Sequence, residues 1–374
     1  MKRILHISKY YYPFRGGTEQ IAQDLVEALK GSYEQKVICF NHDDGDKTDI
    51  VGDTEIIRCG CFAKIASQSL SVSYGRMLQK VLETFKPDII VFHYPNPFVA
   101  SFLLKYIKKN TRLVIYWHLD IVKQKILGRL FSDQNKQLVK RADLLIATSP
   151  NYVEGSKYLC LGKDKCVVVP NCVNTDRLAE TRESKSLSEK IRKRYKNKII
   201  CVAVGRHTEY KGFKYLIEAS KYLDDRFQIF ITGKGELTGQ LMHMAKGDEK
   251  IHFVGMISDD RLKGLLNAAD IFCFPSITKN EAFGVALAEA MYYEKPAVTF
   301  TIPGSGVNYV SVNGETGIEV ENGNAIKYAE AMMKLADDRE LRERLGIAGK
   351  RRVEENFLSR QFVETAREIF GNIE

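Results

Sequence analysis

Short apolar runs alternate with longer amphipathic stretches along the first half of the chain. The runs are continuous rather than alternating, which is typical of strands buried on both faces of a parallel sheet. They occupy residues 4–7, 37–40, 89–92, 113–116 and 144–147. The pattern predicts a doubly wound α/β unit for this half.

The stretch of residues 18–29 carries the clearest helical spacing between these runs. Thr18 is predicted to cap this helix, and Glu19 lies where the positive end of a helix favours an acid. The apolar positions of the stretch form one stripe, which consists of Ile21, Ala22, Leu25, Val26 and Leu29.

A second series of apolar runs follows the charged stretch of residues 177–198, where we expect the domain junction. The runs occupy residues 199–204, 227–232, 251–254, 271–274 and 297–300. They predict a second Rossmann-like unit. Two such units facing each other would form a cleft lined by loops at the carboxyl ends of their strands.

Length and composition agree with two soluble domains. The chain has 374 residues, of which 44% are hydrophobic and 28% charged. No apolar run reaches the roughly 18 residues of a membrane span, and no signal-peptide core opens the sequence. The eight cysteines form no C-x-x-C pair. We therefore expect a cytoplasmic protein with free thiols and no metal.

The formal net charge of +9 favours an anionic partner. The sequence lacks an RNP-like strand, zinc-finger spacing and a helix-turn-helix reader, which disfavours nucleic acid. Phosphates on a small donor, or an acidic membrane face, fit the charge better.

Two cations follow the run of residues 199–204. Gly205 ends the strand, Arg206 comes next, and Lys211 precedes a glycine that opens a helix. Such cations beside a helix N-terminus can neutralise a diphosphate. The alternative is an ordinary solvated loop.

Glu281 and Glu289 flank the start of a predicted helix over residues 284–292. The amides of Phe283 and Gly284 lie in its first turn, where they can bind an anion. Carboxylates accept hydrogen bonds from sugar and ribose hydroxyls. The alternative is a pair of surface acids beside a core helix.

The first half offers its own candidates at predicted strand ends. Gly16 and Gly17 would let the backbone approach a ligand at a helix N-terminus. His118 follows the run of residues 113–116, and His93 is a weaker candidate after residues 89–92. A tight turn and packed histidines are the alternatives.

The glycines of residues 233–239 resemble a dinucleotide fingerprint, but the last gap is one residue too long for G-x-G-x-x-G. This disfavours an NAD(P) dehydrogenase. Gly233 and Gly235 are interpreted as a turn close to the nucleotide.

In this order and on these elements, the motifs together resemble the retaining glycosyltransferases of family 4, which have the GT-B fold. The resemblance covers nearly the whole chain, including residues 168–171, and the loop of residues 302–307 is similar to one in mannosyl- and rhamnosyltransferases of surface polysaccharide assembly. It implies an acceptor-binding domain over residues 1–175 and a nucleotide-sugar-binding domain over 176–355. The helix of residues 356–374 would pack back on the first domain.

The resemblance also implies a role for each motif. Arg206 and Lys211 would hold the donor diphosphate in place of a metal, so no cofactor is expected. Glu289 would bind the ribose and Glu281 the transferred sugar. The backbone around Gly16, Gly17, Gly205, Gly233, Phe283 and Gly284 would approach the donor, and His118 would bond a sugar hydroxyl.

The chain departs from the family in two places. Cys172 and Asn174 replace the usual glycine and aspartate after a Pro-Asn pair, and residues 207–210 differ from the usual ones before Lys211. These departures leave open the geometry of the linker and the reach of Lys211.

Residues 104–142 are basic, with apolar positions between the charges. The cations are Lys105, Lys108, Lys109, Arg112, Lys123, Lys125, Arg129, Lys136, Lys140 and Arg141. The apolar positions are Ile121, Val122, Ile126, Leu127, Leu130 and Phe131. Such a segment can lie on the inner face of an anionic membrane, as suits a lipid-linked saccharide acceptor, or it can be a core helix with a solvated back.

Two other functions remain open at this point, and a third is disfavoured. An NDP-sugar epimerase on the same scaffold would need no acceptor, and a phosphorylase would need a pyridoxal-phosphate lysine context that the sequence lacks. A non-catalytic nucleotide- or glycan-binding protein would use the same residues without turnover.

Overall fold

A computed structural model describes residues 1–14, 16–43, 45–65, 68–121 and 131–373. The chain divides into two compact units, one formed by Met1–Pro170 with Phe362–Glu374 and the other by Asn171–Gln361. The division falls at residues 170/171 rather than 175/176. The reason is that the Val173 N–H donates to the Phe357 carbonyl at 2.7 Å, which ties this segment to the second unit.

The first unit is built on a parallel sheet in the order β10-β9-β8-β7-β1-β2-β4-β3, in which only β3 runs antiparallel to its neighbour. Ile7 of β1 pairs with Ile38 of β2 and with Phe92 of β7. The strands are β1 (Arg3–Ile7), β2 (Glu34–Phe40), β3 (Lys47–Val51), β4 (Thr54–Cys59), β7 (Ile89–Tyr94), β8 (Arg112–Trp117), β9 (Leu144–Ala147) and β10 (Cys166–Val168). A separate hairpin consists of β5 (Ala63–Ile65) and β6 (Gln68–Leu70).

Helices connect the strands of this unit: α1 (Gly17–Ala28), α2 (Tyr74–Thr84), α3 (Pro97–Tyr106), α4 (Ser132–Arg141), α5 (Pro150–Gly155) and a 3-10 helix (Leu159–Lys165). The predicted cap of α1 is wrong. Gly16 is the N-cap residue, and Thr18 already lies inside the helix. The predicted apolar stripe of this helix is buried.

The second unit has a wholly parallel sheet in the order β13-β12-β11-β14-β15-β16. Its strands are β11 (Ile199–Val204), β12 (Phe227–Thr232), β13 (Ile251–Gly255), β14 (Ile271–Phe274), β15 (Ala297–Phe300) and β16 (Gly317–Val320). The strands predicted from continuous apolar runs are present in both units.

The helices from residue 171 onward are α6 (Thr175–Leu178), α7 (Arg182–Arg194), a 3-10 helix (Glu209–Lys211), α8 (Phe213–Ser220), α9 (Thr238–Met244), α10 (Asp259–Ala268), α11 (Val285–Tyr292), α12 (Val307–Val310), α13 (Ala325–Asp337), α14 (Arg339–Asn356) and α15 (Ser359–Gly371). The charged stretch predicted to hold the junction forms α7 inside the second unit.

Helix α15 carries the chain back to the first unit, to which its residues from Phe362 belong. Arg367 Nε donates to the Ala28 carbonyl at 2.9 Å, and Tyr33 Oη donates to the Phe370 carbonyl at 2.8 Å. Phe362 and Phe370 are buried. Burial of these rings and the hydrogen bonds at the ends of α1 and β2 fix the helix there.

The candidate residues of each unit follow strands at the carboxyl edge of its sheet. In the first unit, Gly16 and Gly17 come after β1, and His118 comes directly after β8. In the second, Arg206 follows β11 and Glu281 follows β14. Parallel strands gather such loops at one edge, which is where α/β sheets bind ligands.

Candidate active site

The turn after β11 presents two cations of different character. Arg206 is exposed and forms no ion pair with any residue that the structure describes. Lys211 ends a 3-10 helix, its side chain is only 12% exposed, and its Nζ lies 2.5 Å from Glu281 Oε2. One cation is thus open to a ligand, and the other is already held by a carboxylate.

Gly212 permits this approach. Its φ is 63°, and a Cβ on it would lie 2.0 Å from the Pro275 carbonyl oxygen. Only glycine fits both the left-handed conformation and the contact. Residues 207–210, which differ from those usual in the resembled family, therefore do not keep Lys211 from the loop after β14.

The Lys211–Glu281 pair is held on several sides. Ser276 Oγ donates to Glu281 Oε2 at 3.1 Å, and Lys211 Nζ lies 5.0 Å from the centre of the Phe274 ring. Burial alone would lower the pKa of Lys211, but the charge and hydrogen bond of Glu281 outweigh it, so the pKa lies above its ordinary value. Lys211 is therefore a permanent cation at neutral pH.

The loop of residues 302–307 supports the backbone of Glu281. Ser305 Oγ donates to the Glu281 carbonyl at 2.5 Å. A Cβ on Gly306 would lie 2.1 Å from the Ala282 carbonyl oxygen. This loop is the one that is similar to a loop of mannosyl- and rhamnosyltransferases. Its contacts with the backbone of residues 281 and 282 hold the loop that carries the Glu281 carboxylate in place.

Helix α11 begins directly after this loop. Gly284 is its N-cap residue, with φ of 97°, and has no side chain to cap the first turn. The N–H groups of a helix's first turn have no partner within the helix and carry a partial positive charge. The start of α11 can therefore receive an anionic oxygen, and Phe283, which is buried, fixes it to the core.

Glu289 lies on α11 and is buried, where it forms an ion pair with Arg177 of α6. Arg177 also lies 3.3 Å from Asp259. The sequence interpretation missed Arg177, because it lies 112 residues before its partner, in the stretch interpreted as a junction. Asn174, one of the two departures from the family, begins this helix by accepting a hydrogen bond from the Arg177 N–H.

Gly233 and Gly235 have a packing reason in the structure. A Cβ on Gly233 would lie 2.0 Å from the Gly205 carbonyl oxygen, and one on Gly235 would lie 2.3 Å from the His207 carbonyl oxygen. The turn after β12 therefore packs directly on the turn that carries Arg206. Binding of the donor by Gly205 and Gly233 stays a prediction.

His118 lies in the first unit as a member of a buried pair. Its Nε2 lies 3.0 Å from His93 Nδ1, and its ring stacks on Tyr116 with centres 4.6 Å apart. Burial lowers the pKa of His118 to about 3. The structure thus brings together the two histidines named from the sequence, and the neutral imidazole of His118 can act only as a hydrogen-bond partner near pH 7.

The glycine pair before α1 differs between its two members. A Cβ on Gly16 would lie 2.3 Å from Glu19 Oε2, whereas the space beside Gly17 is open to 4 Å. Close approach of a ligand at Gly17 is therefore sterically possible, and it stays a prediction.

Much of the basic segment falls outside the described residues, namely Val122, Lys123, Lys125, Ile126, Leu127, Arg129 and Leu130. Of the remaining cations, Arg112 and Arg141 form ion pairs with Asp143, and Lys105, Lys108, Lys109, Lys136 and Lys140 are exposed.

Within the described ranges, no helix is long and apolar enough to cross a bilayer, and no cluster of three His, Cys, Asp or Glu side chains could hold a metal ion.

Family models match both units of the chain. The model for Glycosyltransferase Family 4 matches residues 15–177, and that for Glycosyl transferases group 1 matches residues 184–352. Curated relatives include the O-antigen chain mannosyltransferase C of Escherichia coli, 28% identical over 99% of this chain and 98% of the relative. A D-rhamnosyltransferase of Pseudomonas aeruginosa is 28% identical over 95% of this chain and 92% of the relative.

Solved structures show the same fold at lower identity. Sucrose-phosphate synthase from Thermosynechococcus elongatus aligns with a TM-score of 0.83 at 18% identity, over 100% of this chain and 99% of that one. The Anabaena protein HepE, solved in complex with UDP-glucose, aligns with a TM-score of 0.76 at 15% identity over 100% of both chains.

Proposed function

Because the chain is a glycosyltransferase that belongs to family 4 and has the GT-B fold, we propose that it transfers a sugar from a nucleoside-diphosphate donor to a saccharide acceptor, with retention and without a metal. The site residues of the second unit carry the donor part of this proposal. The single observation that supports it most is the exposed Arg206, which has no ion-pair partner among the described residues, beside the fixed Lys211–Glu281 pair.

The charges at this site suit a diphosphate. Arg206 and Lys211 supply two positive charges, and the start of α11 adds the partial charge of its N–H groups. Lys211 would contact both a donor phosphate and Glu281, whereas Arg206 would contact the phosphate alone. Glu281, placed beside the phosphates, would then accept a hydrogen bond from the transferred sugar.

Charge development explains how this arrangement would accelerate transfer. As the bond from the anomeric carbon to the diphosphate oxygen breaks, negative charge grows on that oxygen, where Arg206 and Lys211 stabilise it. The acceptor hydroxyl forms the new bond to the anomeric carbon on the same face, and its proton passes to the leaving phosphate oxygen. Neutral His118 would hold a sugar hydroxyl, and Glu289, oriented by Arg177, would hold the ribose.

The relatives suggest a sugar class and a biological role. The two curated relatives are named for mannosyl and D-rhamnosyl transfer, the first of them to an O-antigen chain. We therefore propose a hexose or deoxyhexose donor and a surface polysaccharide or lipopolysaccharide acceptor, which can be lipid-linked. Such a reaction would take place in the cytoplasm, with peripheral contact to the inner face of the membrane.

Donor binding is tested by thermal stabilisation with UDP-, GDP- and dTDP-sugars. A ligand that binds only the folded state raises apparent stability by about 2.7 kcal/mol at one hundred times its dissociation constant, and the ranking would identify the base. Addition of a chelator should leave turnover unchanged. Absence of any shift at millimolar donor, or loss of activity with the chelator, would contradict the proposal.

Glu281→Gln separates a transferase from a binding protein, because it should abolish donor turnover and leave donor binding largely intact. A non-catalytic protein would show no turnover to lose. An epimerase would convert the nucleotide sugar into its epimer without an acceptor. Detection of the epimeric nucleotide sugar would identify this activity.

A further inference from the structure

Three rings meet at the carboxyl ends of β1 and β2 in the first unit, and the proposed mechanism does not use them. They belong to Tyr10, Phe14 and His42, which we call the aromatic cluster. Each pair of ring centres is 4.7 Å apart, and the planes of His42 make angles of 16° with Tyr10 and 24° with Phe14. Tyr10 and Phe14 are inclined to each other by 34°, so the three rings pack against one another as a compact group, with Phe14 and His42 on its outer side.

The cluster has a fixed base and an open side. Tyr10 is buried, its hydroxyl lies 2.6 Å from Ser69 Oγ, and Ser8 Oγ donates to its carbonyl at 2.8 Å. Phe14 is 38% exposed and His42 is exposed. The outer part of the cluster is therefore accessible to solvent, while the hydrogen bonds of the buried Tyr10 fix the position of the rings.

A buried arginine holds the segment that joins Tyr10 to Phe14. Arg58 donates from Nη2 to the Tyr12 carbonyl at 2.5 Å and from Nη1 to the Tyr11 carbonyl at 3.4 Å. Its Nε lies 3.0 Å from Asp49. A guanidinium with this many partners fixes the backbone rigidly, and the same loop continues to Gly16 and Gly17.

One cation beside the cluster lacks a counter-ion. Lys64 lies in β5, and its Nζ is 5.7 Å from the centre of the Tyr10 ring. Lys64 is exposed and forms no ion pair within the part of the chain that the structure describes. Burial and the nearby charge of Arg58 lower the pKa of His42, which leaves its ring a neutral hydrogen-bond partner at pH 7.

We propose that the aromatic cluster and Lys64 form a saccharide subsite that binds one pyranose ring of the acceptor bearing a phosphate or carboxylate. The C–H face of a pyranose ring is apolar and packs on an exposed aromatic ring such as Phe14, while its hydroxyls bond neutral groups such as His42. Lys64 attracts the anionic substituent. The inference rests on the proposed function, since it assigns the acceptor of that reaction to this surface.

Saturation-transfer NMR on the full chain without donor tests the subsite. The probes are methyl α-D-mannopyranoside, mannose 6-phosphate and glucuronic acid. We expect saturation mainly on the C–H protons of one ring face, and tighter binding of the two anionic sugars. Phe14→Leu should weaken binding by about fivefold through lost stacking, and Lys64→Gln should remove the preference for anionic sugars.

Phe62→Leu is the matched control, because Phe62 follows β4 and is 63% exposed but lies outside the cluster. Equal effects of Phe14→Leu and Phe62→Leu, or no signal from any of the three sugars, would overturn the subsite. Binding of UMP, or of anionic vesicles, that is lost in Phe14→Leu while no sugar binds would assign the cluster to a nucleobase or a membrane instead.

The donor tests keep the two proposals distinguishable. Thermal stabilisation by nucleotide sugars reports mainly on the diphosphate-binding residues of the second unit, and it should be the same in Phe14→Leu and the wild type because Phe14 has no assigned part in donor binding. Failure of donor binding with intact sugar binding would remove the proposed transfer, whereas the reverse result would remove only the subsite.

Discussion

At the residue scale, the chemistry depends on which charged side chains already have partners. Lys211 and Glu289 each form an ion pair, whereas Arg206 forms none with the part of the chain that the structure describes. The sequence identified Arg206, Lys211, Glu281 and Glu289 as candidates because each follows or lies on a recognisable element. It missed Arg177, because a pairing between residues so far apart along the chain depends on tertiary packing rather than on local pattern.

Arg206→Ala should lower turnover by about 10²–10³-fold, because it removes a cation from the oxygen where charge would develop. The free energy of unfolding should change by less than about 0.5 kcal/mol, since Arg206 is exposed and its removal leaves no charge unpaired among the described residues. Steady-state kinetics and urea unfolding measure the two effects. Arg261→Ala, another exposed arginine of the second unit, is the control and should change neither.

Lys211→Met should destabilise the second unit by about 2–4 kcal/mol, because it leaves the largely buried Glu281 carboxylate without its counter-ion. In combination with Glu281→Gln the loss should be smaller than the sum of the two single losses. A double-mutant cycle in urea measures this coupling. Strict additivity would show that the pair does not interact in solution.

At the element scale, continuous apolar runs predicted the central strands because those strands are buried on both faces. The strands β3, β4 and β16 were missed because they lack such a run. β3 is largely exposed, β4 contains the buried Arg58, and β16 is short. The start of α1 was misplaced because the glycines before it permit a helix start without a capping side chain.

Gly233→Ala should destabilise the protein by about 1–3 kcal/mol and weaken donor binding. The added Cβ would meet the Gly205 carbonyl oxygen at 2.0 Å in a backbone conformation with φ of 106°, so the turn carrying Arg206 must shift. Gly239→Ala is the control, because Gly239 lies in α9 with no atom within 4 Å of an added Cβ. It should be neutral or stabilising. Equal losses in both variants would argue against the packing explanation.

At the scale of the whole molecule, the two units can be followed separately. The sequence contains a single tryptophan, Trp117, which is fully buried at the end of β8. Its fluorescence therefore reports on the first unit alone. Donor-dependent stabilisation reports mainly on the second unit, which carries Arg206, Lys211 and Glu281.

The first unit should lose stability as the pH falls from 7 to 5. Burial lowers the pKa of His6 to about 4, that of His118 to about 3 and that of His93 well below 6.5. The folded state stays neutral at these positions, while the unfolded chain takes up protons below about pH 6.5. Each ring should then cost about 2 kcal/mol at pH 5.

Urea unfolding followed by Trp117 fluorescence at the two pH values measures this loss. His6→Asn should reduce the pH dependence, and substitution of the exposed His243 by Gln should leave it unchanged. A pH-independent midpoint in the wild type would show that the three histidines titrate normally.

The path of the chain sets an order for biosynthesis. The first unit draws on residues from both ends of the chain, and the second lies between them. During translation the second unit can emerge and fold while the first unit still lacks α15, whose Phe362 and Phe370 are buried in the core of the first unit. Until α15 has been synthesised, part of the apolar interior of the first unit stays uncovered. A nascent chain stalled shortly before α15 should therefore bind chaperones.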